Sequence, residues 1–292
     1  MALRYLHIAV PQGTAGSMKL ESKFQELLVN MRNTFKGKRI SLEFFGINQY
    51  TYFYIVMEEG LLETVEGLIY SSFPEAELSE TTDYTKLFDA SKDALSGADI
   101  DLERGDVYPI KMYDAFEEDS LSRLFSTISK IGSDEQVWVQ MVAEPQDDTG
   151  TYHFKRKWRL KFSDMRQFFR IRDRMRSGGR KSVQSIRGQR AEEKLQLDPY
   201  KVSIRCAYIA KDQTTSSRKL QAILSSFTQY NENDVNGFVG KQIANSSAFA
   251  ARYAQRVHGS ARILSVKEVA TLYHFPNADA VPHIVHVLAR KS

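Results

Sequence analysis

The stretch ISLEFFGINQYTYFYIVM, residues 40–57, decides the fold, because it reads as two strands joined by a tight turn. Ile40, Leu42 and Phe44 are apolar at every second position, which is the pattern of a strand with one buried face. Residues 46–49 supply the turn, and residues 52–57 form the next strand. The stretch therefore predicts a β-hairpin with a helix on either side of it.

The elements around this hairpin complete a recognisable order. Leu6, Ile8 and Val10 alternate as a strand, and a helix follows in which apolar residues recur at helical spacing from Leu20 to Phe35. A second helix covers residues 62–73, and residues 76–81 are extended. The order is β-α-β-β-α-β, the ferredoxin-like unit.

The same order occurs a second time. We predict strands at residues 107–112, 136–143, 202–209 and 237–243, with helices at 121–131 and 220–230. The expected fold is α+β: two tandem ferredoxin-like halves, residues 1–90 and 106–245. Residues 91–105, rich in Asp, Ser and Gly, are predicted to be the linker. A basic helical insertion is expected at 150–198 and a C-terminal helical segment at 246–292.

Composition is that of a soluble globular protein, with 42% hydrophobic and 26% charged residues among 292. No apolar run approaches the 18 residues of a spanning helix, and the first residues lack a signal-peptide core. The single cysteine, Cys206, cannot form an internal disulfide. We expect a cytoplasmic location, either free or at the inner face of the membrane.

The insertion is the compositional anomaly. Residues 155–190 contain fourteen Lys or Arg and two Asp, a local charge of +12 in a chain of net charge +4. Basic residues interleaved with aromatic ones suit a nucleic acid or an anionic membrane surface. A solvated helical hairpin with its apolar side on the sheet is the other interpretation. The candidate polyanion-binding residues are Lys155, Arg156, Lys157, Arg159, Lys161, Arg166, Arg170, Arg172, Arg174, Arg176, Arg180 and Lys181.

Near the C-terminus, Ser265 followed by Glu268 predicts a capping box and a short helix. That helix should end at Tyr273-His274-Phe275-Pro276, because a proline disfavours the helical conformation of the residue before it. His274 is expected to make a structural hydrogen bond at the helix end.

Several segments resemble the N-terminal, pre-ATPase region of type IV secretion and conjugative-transfer ATPases of the HerA/FtsK superfamily, as found in small-genome bacteria. The similar segments, in order, are residues 53–74, 109–113, 138–145, 227–238 and 263–284. The resemblance implies a non-catalytic scaffold or assembly region of such an ATPase, or an accessory partner to it. The implied partner is a HerA/FtsK-type motor domain, in the same chain or separate, within a homo-oligomer. Tyr273, His274, Phe275 and Pro276 would then dock the motor.

Motifs for chemistry are otherwise missing from the sequence. Residues 237–242, GFVGKQ, are the nearest match to a phosphate-binding loop, but the glycine spacing is wrong and Gln242 replaces the hydroxyl residue that would hold magnesium. His283 and His286 have no further clustered ligand, so no metal site and no cofactor are predicted. We expect no enzymatic activity from this chain. Two alternatives remain open: a stand-alone nucleic-acid- or membrane-binding module, and an enzyme with a cleft between the halves.

Overall fold

The computed structural model describes residues 2–11, 20–146, 183–276 and 286–287. Within these ranges the strands are β1 Leu3–Pro11, β2 Ile40–Ile47, β3 Tyr50–Glu58, β4 Glu77–Thr81, β5 Ala94–Leu102, β6 Gln136–Pro145, β7 Pro199–Ala210, β8 Phe238–Ile243, β9 Arg262–Ser265 and β10 His286–Val287. The α-helices are α1 Leu20–Thr34, α2 Leu62–Ser72, α3 Ser122–Ile128, α4 Val183–Leu195, α5 Gln213–Ser226, α6 Ser246–Ala254 and α7 Val266–Leu272.

The predicted hairpin is confirmed as β2 and β3. The two strands pair antiparallel from Ile40 opposite Met57 to Ile47 opposite Tyr50. Asn48 and Gln49 form the two-residue turn, with φ of 51° and 69°. Positive φ at both positions is the type I′ geometry, whose twist matches that of the flanking strands.

The strands form a continuous sheet in the order β1-β3-β2-β6-β7-β5-β8, with β4 and β10 paired to β1 and β9 paired to β7. Neighbours are antiparallel except for the parallel contact of β1 with β10. The fold is thus mixed α/β with an antiparallel sheet. The first four strands lie in the order β4-β1-β3-β2 and the next four in the order β8-β5-β7-β6. Strands β2 and β6 join these two quartets along eight residue pairs.

The sequence prediction was wrong between residues 91 and 112. The stretch predicted as a linker contains β5, which pairs with both β7 and β8. Residues 107–112, predicted as a strand, are not one. Asp99 and Asp101 made β5 look like a loop, but Arg252 pairs with Asp99, and Arg262 and Lys241 pair with Asp101. Carboxylates neutralised in this way are compatible with a central strand.

Successive side chains of β2 point to opposite faces of the sheet. Ile40, Leu42 and Phe44 face the main core, which also receives apolar residues of α1, α2, α3, α5 and α7. Phe45 faces a smaller aromatic cluster with Trp138, Tyr84, Tyr253 and Phe249, which α6 covers. Each face therefore has its own hydrophobic core. In the described part of the chain, no helix has the length and apolarity needed to cross a membrane.

Candidate functional site

The basic residues predicted to bind a polyanion lie outside the described residues. They are Lys155, Arg156, Lys157, Arg159, Lys161, Arg166, Arg170, Arg172, Arg174, Arg176, Arg180 and Lys181. Of the insertion, the structure describes residues 183–198, where α4 is followed by β7. Polyanion binding therefore stays a prediction.

The four residues predicted to dock a motor lie inside the molecule. Tyr273, His274 and Phe275 are at most 1% exposed, and Pro276 is buried as well. The Tyr273 ring stacks on Phe44 with centroids 4.7 Å apart, and its hydroxyl donates to the Tyr54 carbonyl at 3.0 Å. We correct the docking prediction accordingly: these side chains are already covered by the chain's own core and do not form a docking surface.

The predicted capping box at the start of α7 is confirmed. Ser265 Oγ accepts from the Glu268 backbone N–H at 3.3 Å, and Glu268 Oε2 accepts from the Ser265 backbone N–H at 2.7 Å. Glu268 is fully buried and also binds Lys194 Nζ, whose side chain is equally buried, at 2.9 Å. Its Oε1 accepts from the backbone N–H of Ile110 at 3.1 Å. One carboxylate thus connects α7, the end of α4 and residues 109–113.

A second contact holds residues 109–113 on α7. The backbone N–H of Tyr113 donates to Thr271 Oγ1 at 3.0 Å. Ser120 Oγ donates to the Thr271 carbonyl at 2.7 Å. The segments around Tyr113 and Thr271, far apart in sequence, are thus direct neighbours.

A cleft of about 550 Å³ opens above this contact. Residues 109–115 form one wall and the C-terminal half of α4 forms another, with Glu232 and Lys267 completing the lining. Charges of both signs meet at the rim: Lys267 pairs with Asp114 at 2.7 Å, and Arg190 pairs with Glu193 at 3.1 Å and Glu232 at 3.4 Å. We take this cleft as the candidate functional site, because the last residues of the predicted basic insertion line it. A lining that mixes charged side chains with apolar ones such as Ile110, Met112 and Leu197 suits a polypeptide partner.

One group of described residues has the composition of a metal site. Glu21, Asp119 and His274 each offer a ligand atom, and these atoms all lie within 4.8 Å of one another. His274 Nε2 is 3.2 Å from both Asp119 oxygens and 4.0 Å from Glu21 Oε1. Burial opposes a charged imidazole, but the Asp119 and Glu21 carboxylates outweigh it and raise the pKa of His274. The predicted hydrogen bond at the helix end is confirmed, since Nδ1 lies 2.9 Å from the Ala270 carbonyl.

Sequence reasoning missed a buried charge network on the second face of the sheet. Arg256 is 2% exposed and binds Asp83 through Nη1 and Nη2 at 2.7 and 2.8 Å. It also binds Glu43 through Nε and Nη2 at 3.1 and 3.3 Å. Gln140 Nε2 and Ser41 Oγ donate to the same Glu43 carboxylate at 2.9 and 2.6 Å. Polar residues at alternate positions of β2, Ser41 and Glu43, were the one sequence signal for it.

A hydroxyl, an imidazole and a carboxylate also lie close together on this face. Ser203 Oγ is 3.0 Å from His258 Nδ1, and His258 Nε2 is 3.2 Å from Glu144 Oε2. Burial and the Lys201 charge lower the pKa of His258 to about 4, so its imidazole is neutral at pH 7. Ser203 is only 2% exposed and lies within β7, paired to β6. Because a nucleophile must reach its substrate, this arrangement is better explained as a structural one, in which Ser203 and His258 are hydrogen-bonded and Glu144 lies beside the other ring nitrogen.

The chain belongs to the family described as a domain of unknown function, DUF8128, whose model matches residues 14–284. A search of the curated proteins finds no match. Among solved structures, the chain is similar to a crystal structure described as a presumed chlorite dismutase, at 10% sequence identity and a TM-score of 0.20. That match covers 88% of this chain and 100% of the other. A TM-score of this size carries no argument about function.

Proposed function

We propose that this chain is a non-catalytic scaffold region of, or an accessory partner to, a type IV secretion or conjugative DNA-transfer ATPase of the HerA/FtsK superfamily. The observation that supports it most is the contact between two of the resembling segments. Residues 109–113 and 263–276 join through the Ile110–Glu268 and Tyr113–Thr271 hydrogen bonds. Two of the five resembling segments thus form one structural unit with a cleft at its surface.

We also infer that the sheet consists of two fused ferredoxin-like units. The strand orders β4-β1-β3-β2 and β8-β5-β7-β6 support it, because each reads fourth, first, third, second in chain order. That is the order of the ferredoxin-like unit. In this interpretation, β5 replaces residues 107–112 as the first strand of the second unit.

The proposal predicts binding of a motor domain without ATP turnover by the chain itself. The test is association of the full chain with a HerA/FtsK-type motor domain from the same genome, measured by light scattering and by pull-down. The variant Asp114→Lys/Lys267→Asp exchanges the ion pair of 2.7 Å at the rim of the cleft and leaves the net charge unchanged. We expect it to weaken association about tenfold, since misplaced charges at an interface oppose binding.

The matched control is Lys38→Glu/Glu58→Lys, which exchanges an ion pair of 3.1 Å away from the cleft residues. It should bind as the wild type does. Circular dichroism and urea unfolding of both variants establish that they are folded. No association of the wild type, or equal weakening by both exchanges, overturns the assignment. Magnesium-dependent ATP hydrolysis that persists after contaminating ATPases are removed contradicts the non-catalytic role.

Polyanion binding by the insertion is the second candidate, favoured by the charge of +12 in residues 155–190. Binding to phosphates releases counterions, so about six contacts to single-stranded DNA predict a log–log salt slope of roughly −4. Changing Arg166, Arg170, Arg172, Arg174 and Arg176 to Glu should abolish binding. Fluorescence anisotropy with DNA and flotation with anionic vesicles separate the two ligands, and absence of both at low salt leaves a structural or protein-contacting role.

A further inference from the structure

Three side chains from distant parts of the chain converge beside the junction helix α7. Glu21 lies in the first turn of α1, Asp119 precedes α3, and His274 follows α7. Glu21 is 7% exposed and His274 is fully buried, and the Asp119 side chain is 9% exposed. The geometry places one nitrogen and two carboxylates around a common point.

The orientation of His274 is that of a metal ligand. Its Nδ1 donates to the Ala270 carbonyl at 2.9 Å, which turns Nε2 towards the two carboxylates. Histidines that bind metals typically donate their other ring N–H to a carbonyl or carboxylate, because that bond fixes the tautomer and the ring. The Ala270 carbonyl is outside the group of three, so it is an independent feature of the site.

The distances between the ligand atoms are also close to those expected around a Zn²⁺ ion. Bonds of ~2.0–2.2 Å from Zn²⁺ to N and O ligands place tetrahedral ligand atoms roughly 3.3–3.6 Å apart. His274 Nε2 is 3.2 Å from Asp119 and 4.0 Å from Glu21. All three ligand atoms, including those of Glu21 and Asp119, lie within 4.8 Å of one another.

The net charge of the Glu21, Asp119 and His274 side chains favours a divalent cation over a proton. Two carboxylates and a neutral imidazole sum to two negative charges, and a proton on His274 cancels only one of them. A divalent ion cancels both, which lowers the cost of burying the carboxylates. A ligand set of one imidazole and two carboxylates suits Zn²⁺ or Mn²⁺ better than Mg²⁺, which binds mainly oxygen and water.

We propose that Glu21, Asp119 and His274 bind one divalent transition-metal ion. The ion connects the start of α1, the segment before α3 and the end of α7. This inference does not depend on the proposed function.

The test uses the full chain, freed of metal by chelation and titrated calorimetrically with Zn²⁺ at pH 8, where a proton competes less for Nε2. We expect one equivalent to bind and the melting temperature to rise. Glu21→Gln and Asp119→Asn keep side-chain shape and should weaken Zn²⁺ binding at least about tenfold. Glu26→Gln, an exposed carboxylate on the same helix, is the matched control and should bind as the wild type does.

His283→Ala/His286→Ala should also leave Zn²⁺ binding unchanged. The proposal falls if the wild type binds no Zn²⁺, if Glu21→Gln and Asp119→Asn bind as tightly as the wild type, or if the His283/His286 variant alone loses binding. If Glu21→Gln and Asp119→Asn do not fold, the proposal is tested instead by NMR of the wild type loaded with Co²⁺. One paramagnetically shifted imidazole N–H resonance supports a single histidine ligand, and its absence overturns the site.

Discussion

At the scale of single residues, we expect Arg256 to matter most for the stability of the fold. Its φ of 51° is left-handed, as is common at the residue that follows a helix end. In that conformation the guanidinium reaches both Glu43 and Asp83, and the pairing outweighs burial to lower the pKa of Asp83. Two buried carboxylates therefore depend on one cation.

Replacing Arg256 should be severely destabilising. Arg256→Ala leaves the Glu43 and Asp83 carboxylates without their cation, at an expected cost of about 3–5 kcal/mol in the free energy of unfolding. Arg256→Gly should cost a similar amount although glycine relieves the positive φ, because the charge and not the backbone dominates. Urea unfolding measures both variants.

The control for this pair is Arg218→Ala on the exposed side of α5, which should change stability by no more than about 0.5 kcal/mol. If Arg256→Gly is nearly as stable as the wild type, backbone strain is the main term and the charge argument fails.

The ion pairs of Asp101 predict that the free energy of unfolding decreases in acid. Burial would raise its pKa, but the hydrogen bonds and charges of Arg262 and Lys241 outweigh burial and lower the pKa to about 2. A carboxylate whose pKa is depressed on folding stabilises the fold above its unfolded pKa, near ~3.9. That contribution is lost as the pH falls from about 4 to about 2. The stability difference between wild type and Asp101→Asn should therefore shrink over this range in urea titrations, and a difference independent of pH would refute the pairing.

At the scale of elements, β5 shows how one strand depends on its neighbours. Gly97 lies under the Phe249 ring of α6, and a Cβ there would come within 2.5 Å of the ring. The absent side chain lets α6 approach the strand. Small and acidic residues in β5 are thus explained by contacts with α6, β8 and β9.

Gly97→Ala should cost about 1–3 kcal/mol, because the Phe249 ring must move within a packed core. Phe249→Leu in the same chain should recover part of the loss, so that the two changes are not additive. Gly67→Ala on the exposed side of α2, where no atom lies within 4 Å of the new Cβ, is the control and should stabilise by about 0.5–1 kcal/mol. Strict additivity of Gly97→Ala and Phe249→Leu would count against the close packing.

At the scale of the whole molecule, β2 and β6 unite the two quartets of strands. Their eight residue pairs place Trp138 opposite Phe45 at the middle of the sheet. Separating the quartets would expose two central strand edges and divide both cores. We infer that neither quartet is stable alone.

Unfolding should accordingly be a single cooperative transition. In a Trp158→Phe variant, Trp138 is the one remaining tryptophan and reports on the β2–β6 joint. Its fluorescence and the far-ultraviolet circular dichroism should change together in urea. A fluorescence change that is complete while half of the dichroism signal remains would show that the quartets unfold separately.

The sequence by itself determined the elements whose signals are local. The hairpin of residues 40–57, the helices flanking it and the Ser265–Glu268 capping box follow from spacings of two, three or four residues, which a short window contains. Strand β5 and the burial of Tyr273 and Phe275 were decided by the tertiary structure. Asp99 and Asp101 become strand residues through Arg252, Arg262 and Lys241, more than 130 residues away in sequence. The Glu43–Asp83–Arg256 and Glu21–Asp119–His274 groups likewise exist only after folding, because a charge finds its partner through space and no local pattern records that pairing.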